Sequence, residues 1–230
     1  MKKIGLIGGI SWSSTIDYYR MINEKTNERL GGLNYAECLV YSVNFNDFTS
    51  RTAKHDWDGV FGLFSGPAQI LQDAGADALL LCANTAHAVA ERIADLIEIP
   101  LIDIRIETIK AIKAQGLKKV ALLGTVYTME LDFYRDMFAA NGIETIIPQN
   151  KSDRLMIEDT LLEELGKGIM LPETKEKYLK IIDGLIAQGA EGVILGCTEI
   201  PLLISKSDLA VPVFNTTAIH VAAAVRFMLE

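Results

Sequence analysis

Cys197 is the residue whose surroundings point most directly to chemistry. In the stretch GVILGCTEIPLL, an apolar strand ends at Gly196, and Thr198 and Glu199 open a helical turn directly after the cysteine. With Thr198 as N-cap, the helix N-terminus is expected to lower the pKa of the thiol from about 8.5 towards neutrality. A thiolate there could act as a nucleophile or as a base towards a carbon acid. A buried structural cysteine is the alternative, but the Gly-Cys-Thr-Glu setting favours the catalytic interpretation.

A second cysteine stands in a similar setting, at the end of the apolar run LLLCANTAH. Asn84 and Thr85 lie at a predicted helix start, where their side chains and backbone N–H groups could bind a carboxylate. Both residue types are also common helix caps, so the two interpretations are evenly balanced. His87 lies one turn further on, where it could act as a base, orient a neighbour or be purely structural.

Two further junctions carry hydroxyl groups after predicted strands. IGLIGGISWSST does not fit the dinucleotide pattern G-x-G-x-x-G, and its hydroxyls, beginning with Ser11, suit a small anion better. Trp12 either lines a binding cleft or packs on the surface. LLGTVYTMELDFYR repeats the pattern with Thr125 and Thr128 at a strand-to-helix junction.

Composition excludes several classes of function. The chain has 230 residues and a net charge of −8, which argues against a nucleic-acid surface. No apolar run approaches the roughly 18 residues of a membrane span, and the glycine-broken N-terminus is a poor signal peptide. The three cysteines are far apart and odd in number, which predicts a reduced, cytoplasmic protein. The three histidines are also widely spaced, and no metal-binding motif is present.

Short apolar runs alternate with amphipathic stretches along the chain, which predicts an α/β fold of mostly parallel sheets flanked by helices. The predicted strands are the runs KKIGLIGG, ECLVYSV, DALLLCA, IPLIDI, KKVALLGT, IETIIP, EGVILGC and VPVFN. The predicted helices include Tyr18–Leu30, Val60–Asp73, Glu130–Ala140 and Lys175–Ala187.

An internal repeat relates the two halves of the sequence. MKKIGLIGG resembles LKKVALLGT, AGADALLLCANT resembles QGAEGVILGCTE, and IPLIDI resembles VPVFNT, always in the same order. The repeat predicts two similar α/β halves with the active site in the cleft between them. Its register places Cys82 opposite Gly196 and Ala83 opposite Cys197. Neighbouring residues of an extended chain point to opposite sides, so Cys82 is displaced from the position equivalent to Cys197.

These motifs resemble the aspartate/glutamate racemase family, and most closely its branch with the GGxSWxST start. The likeness implies two pseudo-symmetric domains, residues 1–100 plus 216–230 and residues 101–215. It also implies cofactor-independent racemisation of a small acidic amino acid by two cysteines on opposite faces of the α-carbon, commonly in a homodimer. By motif position Cys197 is one of the pair, and the substrate-binding residues are Ser11, Trp12, Asn84, Thr85, Thr125, Thr128, Thr198 and Glu199.

The departure from the family pattern is that Ala83 occupies the usual position of the first cysteine. Either the backbone repositions Cys82, or one cysteine works with water or another acid, or the alanine is an engineered knock-out. A one-cysteine dicarboxylate isomerase or decarboxylase, and a non-catalytic dicarboxylate binder, are therefore alternatives. The basic residues that could hold a second carboxylate are Arg51, Lys54, Arg135 and Lys167, and their spacing leaves the preference between aspartate and glutamate open.

Overall fold

The computed structural model describes residues 1–230, and the chain divides into two units. Unit 1 comprises Met1–Ile104 and His220–Glu230, and unit 2 comprises Arg105–Ile219. The seven strands are β1 (Ile4–Gly8), β2 (Cys38–Ser42), β3 (Ala78–Leu81), β4 (Lys119–Gly124), β5 (Glu144–Ile146), β6 (Val193–Gly196) and β7 (Val213–Asn215).

Eleven α-helices accompany the strands, and three short 3-10 turns lie at Thr85–Val89, Leu165–Lys167 and Lys206–Asp208. The helices are α1 (Trp12–Leu30), α2 (Phe45–Thr52), α3 (Trp57–Asp73), α4 (Ala90–Leu96), α5 (Ile104–Ala114), α6 (Val126–Glu130), α7 (Asp132–Ala140), α8 (Lys151–Glu163), α9 (Pro172–Ala187), α10 (Ile200–Leu203) and α11 (Thr216–Leu229). None of the helices combines the length and apolarity that crossing a membrane requires.

Unit 1 contains a parallel sheet in the order β2-β1-β3 with apolar side chains on both faces. Leu79 and Leu81 point to the face covered by α3 and α4. Leu80 and Cys82 point to the opposite face, which α1 and α11 cover. This two-sided cover explains why β3 reads as a continuous apolar run rather than an alternating one.

Unit 2 contains a parallel sheet in the order β5-β4-β6-β7. Leu123 and Leu195 pack with α8 and α9 on one face, whereas Leu122 and Ile194 pack with α5 and α7 on the other. The predicted α/β architecture of two parallel sheets flanked by helices is therefore confirmed.

One predicted strand is wrong, and one predicted helix is confirmed except for a break at its start. IPLIDI forms only a single parallel bridge, Leu101 to Leu79, because the chain enters α5 at Ile104. Its place beside β3 nevertheless matches that of β7 beside β6, as the repeat requires. The helix predicted at Glu130–Ala140 is divided at Leu131, whose extended backbone separates α6 from α7.

Candidate active site

Cys197 lies at the carboxyl end of β6, beside the carboxyl end of β4. Gly124 and Gly196 are paired across the two strands, and a Cβ built at Gly196 would lie only 2.9 Å from the carbonyl oxygen of Leu123. Glycine therefore permits the close backbone approach that places the cysteine beside Thr125 at the end of β4. Cys197 is partly exposed as a residue, and it packs on the face of the sheet that α9 covers.

The Cys197 thiol donates a hydrogen bond of 2.8 Å to Oε2 of Glu199, which also accepts a 2.6 Å hydrogen bond from the hydroxyl of Thr198. Burial and the neighbouring Glu199 carboxylate raise the pKa of Cys197 well above its ordinary value. The predicted lowering of this pKa by a helix N-terminus was wrong. The following helix, α10, is only four residues long and begins at Ile200. Burial, together with this anionic neighbour, instead keeps the thiol protonated.

Two threonines and a glutamate complete this end of the sheet in unit 2. Thr125 is the N-cap of α6, and its hydroxyl accepts from the backbone N–H of Thr128 at 3.2 Å and donates to the Thr128 hydroxyl at 3.1 Å. Oε2 of Glu158 accepts from the backbone N–H of Val126 at 2.8 Å, and burial raises the pKa of Glu158. Its charge also contributes to the raised pKa of Cys197. Nothing in the pattern around Glu158 marks it in the sequence.

Cys82 does not lie at an accessible strand end. Its side chain is 0% exposed among the apolar residues beneath α1 and α11, and burial raises its pKa far above the ordinary range. Its backbone N–H donates to the carbonyl of Ile7 at 2.9 Å, so the residue continues the extended path of β3.

Ala83 points to the other face and is partly exposed beside the core under α3. The helix that covers this face, α3, directly precedes β3, just as α9 directly precedes β6. Ala83 and Cys197 thus occupy equivalent faces of the two sheets, as the sequence repeat predicted.

Asn84 and Thr85 follow immediately and enter the 3-10 turn Thr85–Val89. Both are nearly buried, with side chains 4% and 6% exposed. The neighbouring strand β1 ends at Gly8, and the backbone N–H of Gly9 donates to the hydroxyl of Thr15 at 2.8 Å. The first unit therefore gathers several polar groups at the carboxyl edge of its sheet.

Ser11 is the N-cap residue of α1, and its hydroxyl lies 2.6 Å from that of Ser13 rather than capping the helix. Trp12 is 69% exposed and is not packed into the core of unit 1. The hydroxyl cluster is compatible with a small anion, as the sequence suggested, since hydroxyls can donate to negatively charged oxygens.

The basic residues considered for a second carboxylate are engaged locally or exposed. Arg51 donates to the carbonyl of Asp47 at 2.8 Å, Arg135 pairs with Asp132, and Lys167 pairs with Glu163. Lys54 is exposed after α2. No group of three or more His, Cys, Asp or Glu side chains in the chain is arranged to hold a metal ion.

The chain is similar to known proteins in sequence and in fold. Residues 7–224 match the Asp/Glu/Hydantoin racemase family. The broad specificity amino-acid racemase RacX of Bacillus subtilis is 25% identical over 222 residues, which cover 94% of this chain and 93% of RacX.

Two crystal structures are similar over their full length. A Yersinia pestis protein assigned as an Asp/Glu racemase is 45% identical with a TM-score of 0.93, and 100% of each chain is covered. An aspartate racemase homologue from Pyrococcus horikoshii OT3 is 34% identical with a TM-score of 0.88, again with 100% of each chain covered. With two parallel sheets, the repeated strand-end motifs and a family match over nearly its whole length, this chain belongs to the Asp/Glu/Hydantoin racemase family.

Proposed function

We propose that this protein is a cofactor-independent amino-acid racemase for aspartate, glutamate or both, in which Cys197 exchanges a proton with the α-carbon. The observation that carries the proposal is the 2.8 Å hydrogen bond from the Cys197 thiol to Glu199. This carboxylate can accept the thiol proton and generate the thiolate that a carbon acid requires. The similarity to RacX and to racemase-family structures supports racemisation as the reaction class.

The proposed cycle begins with transfer of the Cys197 proton to Glu199. The thiolate then removes the α-proton, which breaks the C–H bond and leaves the electron pair on carbon. Return of a proton to the same face regenerates the starting enantiomer, whereas a proton delivered to the opposite face inverts it. Asn84, Thr85 and Thr198 are assigned to the α-carboxylate, where amide and hydroxyl donors would stabilise the developing negative charge.

The source of the second proton is the point at which this chain departs from a two-thiol enzyme. Ala83 carries no proton to give, and Cys82 is buried with its pKa raised. We therefore assign the second proton to a water molecule that is deprotonated as the carbanion is protonated. The resulting hydroxide is neutralised by the proton that Cys197 and Glu199 return to solvent, so the cycle balances.

A second candidate function follows from the same observation. One accessible thiol suffices for an isomerase or decarboxylase acting on a small dicarboxylate, because such a reaction needs no acid on the opposite face. A non-catalytic dicarboxylate binder would retain the polar groups and perform no proton transfer. We further propose that the protein is cytoplasmic and forms a homodimer; light scattering of the purified protein would test the dimer.

Incubation of L-Asp, D-Asp, L-Glu and D-Glu in D₂O separates these functions. Racemisation predicts deuterium at the α-carbon together with inversion from either enantiomer. Exchange of one enantiomer without inversion would indicate a single working base, and binding without exchange would indicate the binder.

Cys197→Ser should abolish exchange. Cys38→Ser is the matched control, since Cys38 is a partly exposed thiol at the amino end of β2, opposite the edge at which the proposed site lies. Loss of exchange in both variants would contradict the assignment of Cys197.

A further inference from the structure

Two buried histidines in unit 1 have no part in the reaction proposed above. His87 and His220 are both 0% exposed, and their rings meet edge to face with centroids 5.7 Å apart. The His87 ring contacts the backbone of Ile104, the last residue of unit 1 before the chain enters unit 2. The His220 ring, on the first residue after the chain returns to unit 1, contacts the backbone of Ile102. Their hydrogen-bond partners fix where each proton must sit.

His87 is held in a single tautomer by two backbone groups. The backbone N–H of Ile104 points at Nε2 across 3.3 Å, and an N–H can only donate, so Nε2 is the acceptor. The one ring proton of the neutral imidazole is therefore on Nδ1, which donates to the carbonyl oxygen of Ala83 at 2.9 Å. A protonated ring would lose the bond to Ile104, because both of its nitrogens would be donors.

His220 is held in the opposite tautomer. Its Nε2 lies 2.6 Å from the carbonyl oxygen of Ile102, which can only accept, so Nε2 carries the proton. Nδ1 then accepts from the hydroxyl of Tyr18 at 2.9 Å. Burial is the main cause that lowers the pKa of His220 to about 3 and keeps this ring neutral.

The Ala83 carbonyl needs a side-chain partner because of the tight turn that follows it. In an α-helix the backbone N–H of residue 87 would donate to the carbonyl of residue 83. Here the backbone N–H of His87 donates instead to the backbone carbonyl of Asn84 at 3.0 Å, as in a 3-10 turn. The His87 ring takes the place of this backbone donor. Its other nitrogen accepts from Ile104 at the start of α5, where backbone N–H groups lack partners within the helix.

We propose that His87 is a positioning residue that fixes the carbonyl of Ala83 and thereby the direction of the turn carrying Asn84 and Thr85. This inference rests on the proposed function, in which these two side chains hold the α-carboxylate of the substrate. The imidazole acts through the backbone and touches no reacting atom. Only the Nδ1 contact orients the turn, whereas the Nε2 contact stabilises the start of α5.

Two substitutions separate these contacts. The side-chain nitrogen of asparagine can occupy the place of Nδ1, and the side-chain oxygen of glutamine can occupy that of Nε2. His87→Asn should therefore keep the Ala83 contact and retain kcat for α-proton exchange within about threefold. His87→Gln should keep only the Ile104 contact and lose about 10²-fold in kcat, the scale of a misplacement of about 1 Å.

Each variant loses one hydrogen bond, so the pair is matched for structural damage, and their melting temperatures should be similar. Equal values of kcat in the two variants, or a lower value in His87→Asn, would overturn the proposal.

Spectroscopy tests the same inference without any activity. Long-range ¹H–¹⁵N spectra at pH 7 should show His87 neutral with the proton on Nδ1 and His220 neutral with the proton on Nε2. The amide resonances of Asn84 and Thr85 should shift in His87→Gln and stay in place in His87→Asn.

The reverse tautomer, or equal shifts in both variants, would refute the role of His87. If the wild-type protein exchanges no α-protons, the proposed function fails, and these spectra still decide whether His87 orients the turn.

Discussion

Replacing Cys82 tests which of the two strand-end cysteines performs the chemistry. The side chain is 0% exposed and lies among apolar residues such as Leu80 and Ile22. Cys82→Ala removes one buried heavy atom and leaves a small cavity, which should cost about 1 kcal/mol of unfolding free energy. Cys82→Ser places a hydroxyl in apolar surroundings and should cost about 1–3 kcal/mol.

These costs predict measurable melting shifts with little effect on catalysis. For a chain of this size, each kcal/mol corresponds to about 2–4 °C, so Cys82→Ala should melt about 2–4 °C below the wild-type protein and Cys82→Ser further below. The rate of α-proton exchange at 25 °C should remain within about twofold in both variants. The reason is that the sulfur of Cys82 lies on the face of the sheet opposite to Ala83.

Cys197→Ala provides the contrasting variant, because it should abolish exchange. Thiol titration of the folded wild-type protein should detect Cys38 and Cys197 but leave Cys82 unmodified until denaturant is added. The opposite result would be loss of exchange in Cys82→Ala with a melting temperature within about 1 °C of wild type, which is smaller than the expected shift. That result would refute the inference that Cys82 points away from the site. Cys82 would then be the second catalytic thiol.

Three further predictions concern Glu199, Ala83 and His220. Glu199→Gln removes a carboxylate that raises the pKa of Cys197, so α-proton exchange should extend to lower pH. The maximal rate of exchange should fall by about 10²-fold, because the base that accepts the thiol proton is lost. An unchanged pH–rate profile would count against this role of Glu199. Ala83→Cys supplies an acid at the empty position and should increase inversion relative to exchange by roughly tenfold, which chiral analysis in D₂O measures; a constant ratio would contradict it. The pKa of His220 is lowered from 6.5 to about 3 in the folded protein. As the pH falls, the unfolded chain therefore binds this proton before the folded chain does. The free energy of unfolding should fall by up to about 1.4 kcal/mol per pH unit below about pH 6.5. Urea unfolding at pH 7, 6 and 5 should show this slope, reduced in His220→Gln.

The parallel sheets were predictable because the central strands β1, β3, β4 and β6 are apolar runs, and three of them, β1, β4 and β6, end in glycine. The internal repeat also predicted how the two halves align, with Ala83 opposite Cys197. The structure places these two residues on equivalent faces of their sheets, as that alignment requires. IPLIDI was misleading because its partly buried apolar residues form only one strand bridge, Leu101 to Leu79, before α5 begins at Ile104. Strand length depends on where the next helix begins, and the local pattern does not contain that information.

The chemistry around the cysteine was harder to foresee. The strand-to-helix junction at Cys197 suggested a thiolate. In the structure, however, the carboxylate of Glu199 accepts a hydrogen bond from the thiol, and α10 is too short to offset the effect of that charge on the pKa. Glu158 comes from α8, far away in sequence, and only the fold brings its charge to the thiol. Likewise, the pairing of His87 with His220 joins residues from opposite ends of unit 1.

The Cys197–Glu199 hydrogen bond also bears on how the protein withstands oxidation. Peroxides and alkylating reagents attack the thiolate far faster than the protonated thiol. Because burial and the neighbouring carboxylate both favour the proton on sulfur, we expect the resting protein to form sulfenic acid slowly even though Cys197 is a partly exposed residue. The rate at which iodoacetamide inactivates the protein therefore reports how often the thiolate forms, with and without a bound amino acid.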